Sequence, residues 1–167
     1  MRRRTFVASA TAAGLAAPFV AGAAEAGTIR FVPQTGLSNL DPIWTTIDVV
    51  RNASLLFWDT LYGVDSTLTP RPQMCEGHET AADGLTWTFR LRDANWSDGA
   101  PFTAEDFVFT FRRALDPKTA APYVTPLMVI KGGHDIAAGK APPSTLGVYA
   151  PDARTVVIEL DHPVANL

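Results

Sequence analysis

In WSDGAPFTAEDF, Trp96 to Phe107, three carboxylates (Asp98, Glu105 and Asp106) and two hydroxyls (Ser97 and Thr103) lie between two aromatic side chains. Carboxylates gathered in one pocket, with their acidities pushed apart, act as general acid and general base. The same residues also spell a turn that leads into a helix. Ser97-Asp98-Gly99 is a turn signal, and Thr103 with Asp106 three residues on has the spacing of a capping box. In that box the hydroxyl accepts the Asp106 backbone N–H while the Asp106 carboxylate reaches back to the Thr103 N–H. Glu105 and Asp106 then sit in the first helical turn, where the positive end of the dipole favours each by ~0.3–1 kcal/mol. Acid–base work also needs a pocket and a perturbed pKa, which spacing alone does not supply. The stretch is expected to be scaffold.

Other chemistry finds no support. His78, His134 and His162 stand far apart, with no second histidine or cysteine at ligand spacing, so no metal and no cofactor is expected. The sequence contains no G-x-S-x-G elbow, no G-x-x-x-x-G-K-[ST] loop and no G-x-G-x-x-G turn. Cys75, the one cysteine, cannot close an intrachain disulfide and lies too far along the chain to carry an N-terminal lipid. It is read as a small buried hydrophobe rather than a nucleophile. No catalytic residue is assigned, and the chain is expected not to be an enzyme.

The elements around this stretch follow from periodicity. Thr28 to Val32 reads as a short strand stopped by Pro33, and Leu40-Asp41-Pro42 as a turn. In TTIDVVRNASLLFWDTLYG, Thr45 and Asp48 have capping-box spacing, and Val49, Ala53, Leu56, Phe57 and Leu61 recur at helical intervals, predicting a helix that runs to Gly63. DSTLTPRPQM, with two prolines, predicts an extended connector. LTWTFRLR alternates Leu85, Trp87, Phe89 and Leu91 against Thr86, Thr88, Arg90 and Arg92, the mark of a strand with one buried face. A helix is predicted from Ala104 to about Leu115, with Phe107, Val108, Phe111 and Leu115 along one side and Asp116-Pro117 as its stop. DPKTAAPYVTPL reads as a loop, a short helical run is expected near Ile136, and Thr155 to Leu160 alternates as another strand.

The amino terminus carries a different message. Arg2 to Arg4, an uncharged Ala/Gly-rich run from Thr5 to Ala24, and Ala24-Glu25-Ala26 form the three-part pattern of a signal peptide cleaved after Ala26. The arginines followed by Phe6 resemble a twin-arginine export signal, and the run is too short and weakly apolar to span a membrane. Removing residues 1–26 takes away three arginines and one glutamate, leaving 11 basic and 16 acidic side chains among 141 residues, a net of −5. No basic run remains to neutralise a phosphate backbone, so nucleic acid is not an expected partner. The expected location is the periplasm.

Taken in order, Leu40-Asp41-Pro42, an apolar helix ending LFWDTLYG, a proline connector, DGLTWTFRLRDANWSDGAPFTAEDFVFTFRRALDPKTAAPY and LGVYAPDARTVVIELDHPV resemble the extracytoplasmic solute-binding proteins of peptide ABC importers, most of all their oligopeptide-binding branch. The resemblance covers essentially the whole chain after residue 26. It implies a mixed α/β (α+β) architecture, part of a two-lobed, type II-like periplasmic-binding-protein fold. Residues 27–58 would start the core of the first lobe and residues 59–167 would form its peripheral subdomain, incomplete at the carboxyl end. The implied function is reversible binding of oligopeptides or dipeptides for uptake, by a monomer that hands its cargo to an inner-membrane ABC permease complex. In this family the peptide main chain is held by strand-like hydrogen bonds while roomy, hydrated pockets tolerate many side chains.

By position, the resemblance assigns Thr45, Thr46, Ile47 and Asp48 to the peptide backbone and Tyr123 to a second contact. Thr46 and Asp48 stand where the relatives have a glutamate and a small apolar residue, which leaves the type of ligand open. The residues themselves allow a plainer reading, a helix cap at Thr45–Asp48 and an ordinary loop tyrosine at Tyr123. Relatives continue for roughly two further domains that hold the acidic anchor for the peptide amino terminus. The chain therefore resembles an N-terminal fragment, for which no tight binding and some bare apolar faces are expected. The alternatives are a receptor of the same family for a nickel chelate, heme or an oligosaccharide, an enzyme exported by the twin-arginine route, and a truncated product without function. Arginine or aromatic arrays, cofactor motifs or a stop codon downstream would respectively separate them.

Overall fold

A computed structural model describes residues 32–33, 35–37 and 39–165. The expected signal peptide, and all of the expected strand Thr28–Val32 except Val32, lie outside them. Among the described residues six strands and three α-helices follow one another: α1 (Asp48–Ser54), β1 (Tyr62–Val64), β2 (Pro70–Pro72), β3 (Cys75–Thr80), β4 (Thr86–Leu91), α2 (Ala104–Leu115), α3 (Gly133–Ala137), β5 (Val148–Asp152) and β6 (Thr155–Glu159). Short 3-10 turns stand at Pro42–Trp44, Thr125–Val129 and Pro143–Thr145.

The alternating segments become the inner strands of an antiparallel sheet ordered β3-β4-β6-β5. Register sets Trp87 opposite Ile158 and Phe89 opposite Val156, so the apolar rows of β4 and β6 share one face. Against that face lies α2, burying Ala104, Val108 and Leu115, and Phe107 and Phe111 pack as a pair with ring centroids 4.7 Å apart. Ile130, Ile136 and Leu146 close the core from the segments between α2 and β5. The opposite face of the sheet carries Thr88, Arg90 and Thr155. Among the described residues no helix is long and apolar enough to cross a membrane.

Thr103 and Asp106 form the expected capping box. The Asp106 carboxylate accepts the Thr103 N–H at 2.8 Å and the Thr103 hydroxyl at 3.1 Å. Asp98 likewise accepts the Ala100 N–H at 2.9 Å inside a turn where Gly99 adopts φ +88°, a conformation that suits glycine. Replacing Thr103 by alanine is expected to cost about 0.5–2 kcal/mol, read as a lower midpoint in urea unfolding.

Several expectations need correction. The helix predicted to reach Gly63 stops at Ser54, and Tyr62–Val64 instead pairs with Pro70–Pro72 in the small hairpin β1–β2. Tertiary pairing overrides helical periodicity here: the Gln73 N–H donates to the Leu61 carbonyl at 2.9 Å and the Met74 N–H to the Thr60 carbonyl at 3.1 Å, holding residues 60–64 extended. The hairpin loop is organised by Asp65, whose carboxyl is held down to about 2 by the Thr67 hydroxyl, the Thr69 N–H and Arg71. The face buried by α1 is Val49, Val50 and Ser54, while Leu55, Leu56, Phe57 and Trp58 are exposed, Leu56 by 84%. Cys75 is fully buried and its thiol donates to the Leu61 carbonyl at 3.2 Å, as befits a small apolar side chain.

Candidate functional site

The capping box expected from Thr45 and Asp48 does not form. Thr45 (φ −155°, ψ 146°) and Ile47 (φ −66°, ψ 127°) are extended, and Ile47 rather than Thr45 is the residue before the first turn of α1. Because α1 begins only at Asp48, Thr45 lies two residues before the cap position and its hydroxyl has no N3 backbone N–H to accept. Its hydroxyl accepts the Ile47 N–H at 3.1 Å instead, and Asp48 pairs with Arg51 at 2.8 Å. Thr46 is exposed, and neither its N–H nor its carbonyl is bonded to another described residue. A short extended segment with free main-chain groups can add hydrogen bonds to a second extended chain.

Tyr123 lies in the loop between α2 and the 3-10 turn Thr125–Val129 and is 66% exposed. No hydrogen bond joins it to Thr45–Asp48 among the described residues. The two regions are connected through α2. Arg113, in its last turn, donates to Asp41 at 2.6 Å, and ten residues further on the chain reaches Tyr123. Asp41 also accepts the Ile43 N–H at 3.0 Å, capping the turn Pro42–Trp44 that leads into Thr45. Burial opposes the Asp41 charge, but bonds from Arg113 and the Ile43 N–H outweigh it and hold the carboxyl below the ordinary aspartate value. That pair therefore stabilises the fold above the ordinary aspartate pKa, and its contribution is lost as pH falls through the lowered one.

Sequence reasoning missed the Asp41–Arg113 pair, because nothing in a linear pattern joins residues 72 positions apart. It also missed an open polar hollow on the sheet face away from α2, with Glu79, Thr88, Arg90 and Thr155 among its lining. His78 is bonded to the Tyr62 hydroxyl and stacked on Trp87. Among the described residues no group of histidine, cysteine and carboxylate side chains could hold a metal ion.

Residues 69–167 match the family described as bacterial extracellular solute-binding proteins, family 5 Middle. The periplasmic oligopeptide-binding protein OppA of Escherichia coli (strain K12) is 38% identical over 174 residues, covering 97% of this chain and 32% of that protein. Among solved structures, Listeria monocytogenes OppA bound to peptide superposes with a TM-score of 0.73 at 37% identity, over 75% of this chain and 25% of the other. Haemophilus influenzae OppA in complex with RPPGFSPFR gives 0.72 at 40% identity, again over 75% and 25%. The chain thus spans about a quarter to a third of the length of the relatives it matches.

Proposed function

Because this chain belongs to the bacterial extracellular solute-binding proteins, family 5, we propose that it serves as the periplasmic substrate-binding component of an ABC importer for oligopeptides or dipeptides, binding reversibly and without chemistry. The observation that carries this reading is the likeness to the peptide complex of Haemophilus influenzae OppA, at 40% identity and a TM-score of 0.72. In this reading residues 1–26 are a twin-arginine-type signal peptide cleaved after Ala26, residues 27–58 begin the first lobe and residues 59–167 belong to its peripheral subdomain. The receptor is a monomer that delivers peptide to an inner-membrane permease complex.

The extended Thr45–Ile47 segment supports a main-chain contact from Thr45, Thr46, Ile47 and Asp48, and Tyr123 supplies a hydroxyl. One neutral hydrogen bond to peptide backbone contributes about 0.5–1.5 kcal/mol. Tyr123→Phe is therefore expected to weaken every peptide alike by that amount. Equal calorimetric affinities for wild type and variant across several peptides remove Tyr123 from the site.

The reading itself is tested by expressing the protein from Gly27 through the stop codon of its own reading frame and titrating it with RPPGFSPFR. Saturable heat at one peptide per chain is expected. No heat and no rise in melting temperature up to ~1 mM peptide, an affinity limit of about 4 kcal/mol, overturns it.

A further inference from the structure

On its amino-terminal side, the segment proposed to meet the peptide is tied to α2 by one ion pair. None of the residues from Pro42 to Asp48 is buried, so packing fixes little of this stretch. Asp41 gives it an anchor: one carboxylate oxygen accepts the Ile43 N–H at 3.0 Å, the other accepts Arg113 at 2.6 Å, and its carbonyl accepts the Trp44 N–H at 3.3 Å. On the far side of the pair, Arg113 belongs to a helix seated in the core by Ala104, Val108 and Leu115. Both members of the pair are about two-thirds buried, which shields the contact from solvent more than a surface pair.

From this geometry we propose that Arg113 is a positioning residue for peptide binding: through Asp41 it fixes the extended Thr45–Ile47 segment relative to α2, so that the main-chain groups of Thr46 present one arrangement to a peptide backbone. Its consequence for binding rests on the peptide-receptor reading, while its cause rests on the ion pair alone. Without Arg113 the segment keeps its turn and its junction with α1 but loses its tie to α2 on the amino-terminal side. Peptide must then order it on binding, and affinity falls by that cost.

The test compares Arg113→Met, Arg113→Lys and Asp41→Asn in the protein expressed through its own stop codon. Asparagine keeps an acceptor for the Ile43 N–H and removes the charge, so it isolates the pair from the turn. Hydrogen exchange of the Ile43, Trp44 and Ile47 amides is expected to quicken about three- to tenfold in Arg113→Met and Asp41→Asn, with the amides of β4 and β6 unchanged. Affinity for RPPGFSPFR should fall by a similar factor. Arg113→Lys should restore most of both, and the double variant should be no worse than either single one. Unchanged exchange at these three amides, or additive losses in the double variant, overturns the proposal. Faster exchange with full affinity overturns the role in binding. A wild type that binds no RPPGFSPFR sinks the receptor reading, and the exchange rates then still decide whether Arg113 holds the segment.

Discussion

Replacing Ile158 by alanine is expected to cost about 2–5 kcal/mol, a large part of the total stability of a chain this size. Ile158 is 2% exposed on β6, between Trp87 of β4 and Val148 of β5, and so joins the two halves of the sheet. Truncation removes its own transfer energy and leaves a cavity that cannot collapse easily, because two flanking strands and α2 meet there. Val157, its neighbour in sequence, points to the other face of the sheet, where α2 does not pack; it is 7% exposed, and Val157→Ala, which removes a smaller side chain outside the main core cluster, should cost less. Urea unfolding of the two variants checks the contrast. A loss in Val157→Ala as large as that in Ile158→Ala would mean that the face away from α2 packs as tightly as the core face.

Gly147→Ala is expected to destabilise by about 1–3 kcal/mol, although it adds only a methyl group. A Cβ at this position would stand 2.7 Å from the Lys131 Cβ and 3.1 Å from the Glu159 carbonyl oxygen. Neither is the free end of a side chain. The backbones of Lys131, Gly147 and Glu159 are bonded to one another: Lys131 N–H to the Glu159 carbonyl at 2.8 Å, Gly147 N–H to the Lys131 carbonyl at 2.9 Å, and Glu159 N–H to the Gly147 carbonyl at 2.7 Å. To admit the methyl group this closed set must open, and at least one of its bonds must lengthen. Gly36, where a Cβ would meet nothing within 4 Å, should accept alanine without loss. Thermal unfolding of both variants decides; an unaltered Gly147→Ala midpoint would show that the three segments part freely here.

Strands β4 and β6 and helix α2 were legible because each carries its own periodicity and, for α2, a cap and a proline stop. Strand β3 was not, since Cys-Glu-Gly-His-Glu-Thr sits at the sheet edge with one buried residue and has no apolar alternation to read. The hairpin β1–β2 was hidden by Pro70 and Pro72, which read as a connector yet are tolerated at an edge where no N–H is needed. The end of α1 was misread because Leu56, Phe57 and Leu61 keep a helical spacing after pairing with residues 73 and 74 has taken the chain away. For the candidate site, residue spacing pointed to a cap and the family resemblance pointed to a cleft segment. The start of α1 at Asp48, behind Ile47, removes the cap expected at Thr45.

The strand order also sets a clock. Strand β4 ends at Leu91, and the partner that covers its inner side, β6, begins at Thr155, 64 residues later. At a synthesis rate of about 5–20 residues per second that interval is roughly 3–13 s. Until then the β3–β4 hairpin must stand alone, and an isolated hairpin is marginal in water. Trp87, Phe89 and Leu91 stay uncovered by β6 throughout, next to an open strand edge that any other extended chain can join. Keeping other extended chains off that edge during those seconds therefore bears on how much of the newly made chain reaches the finished sheet.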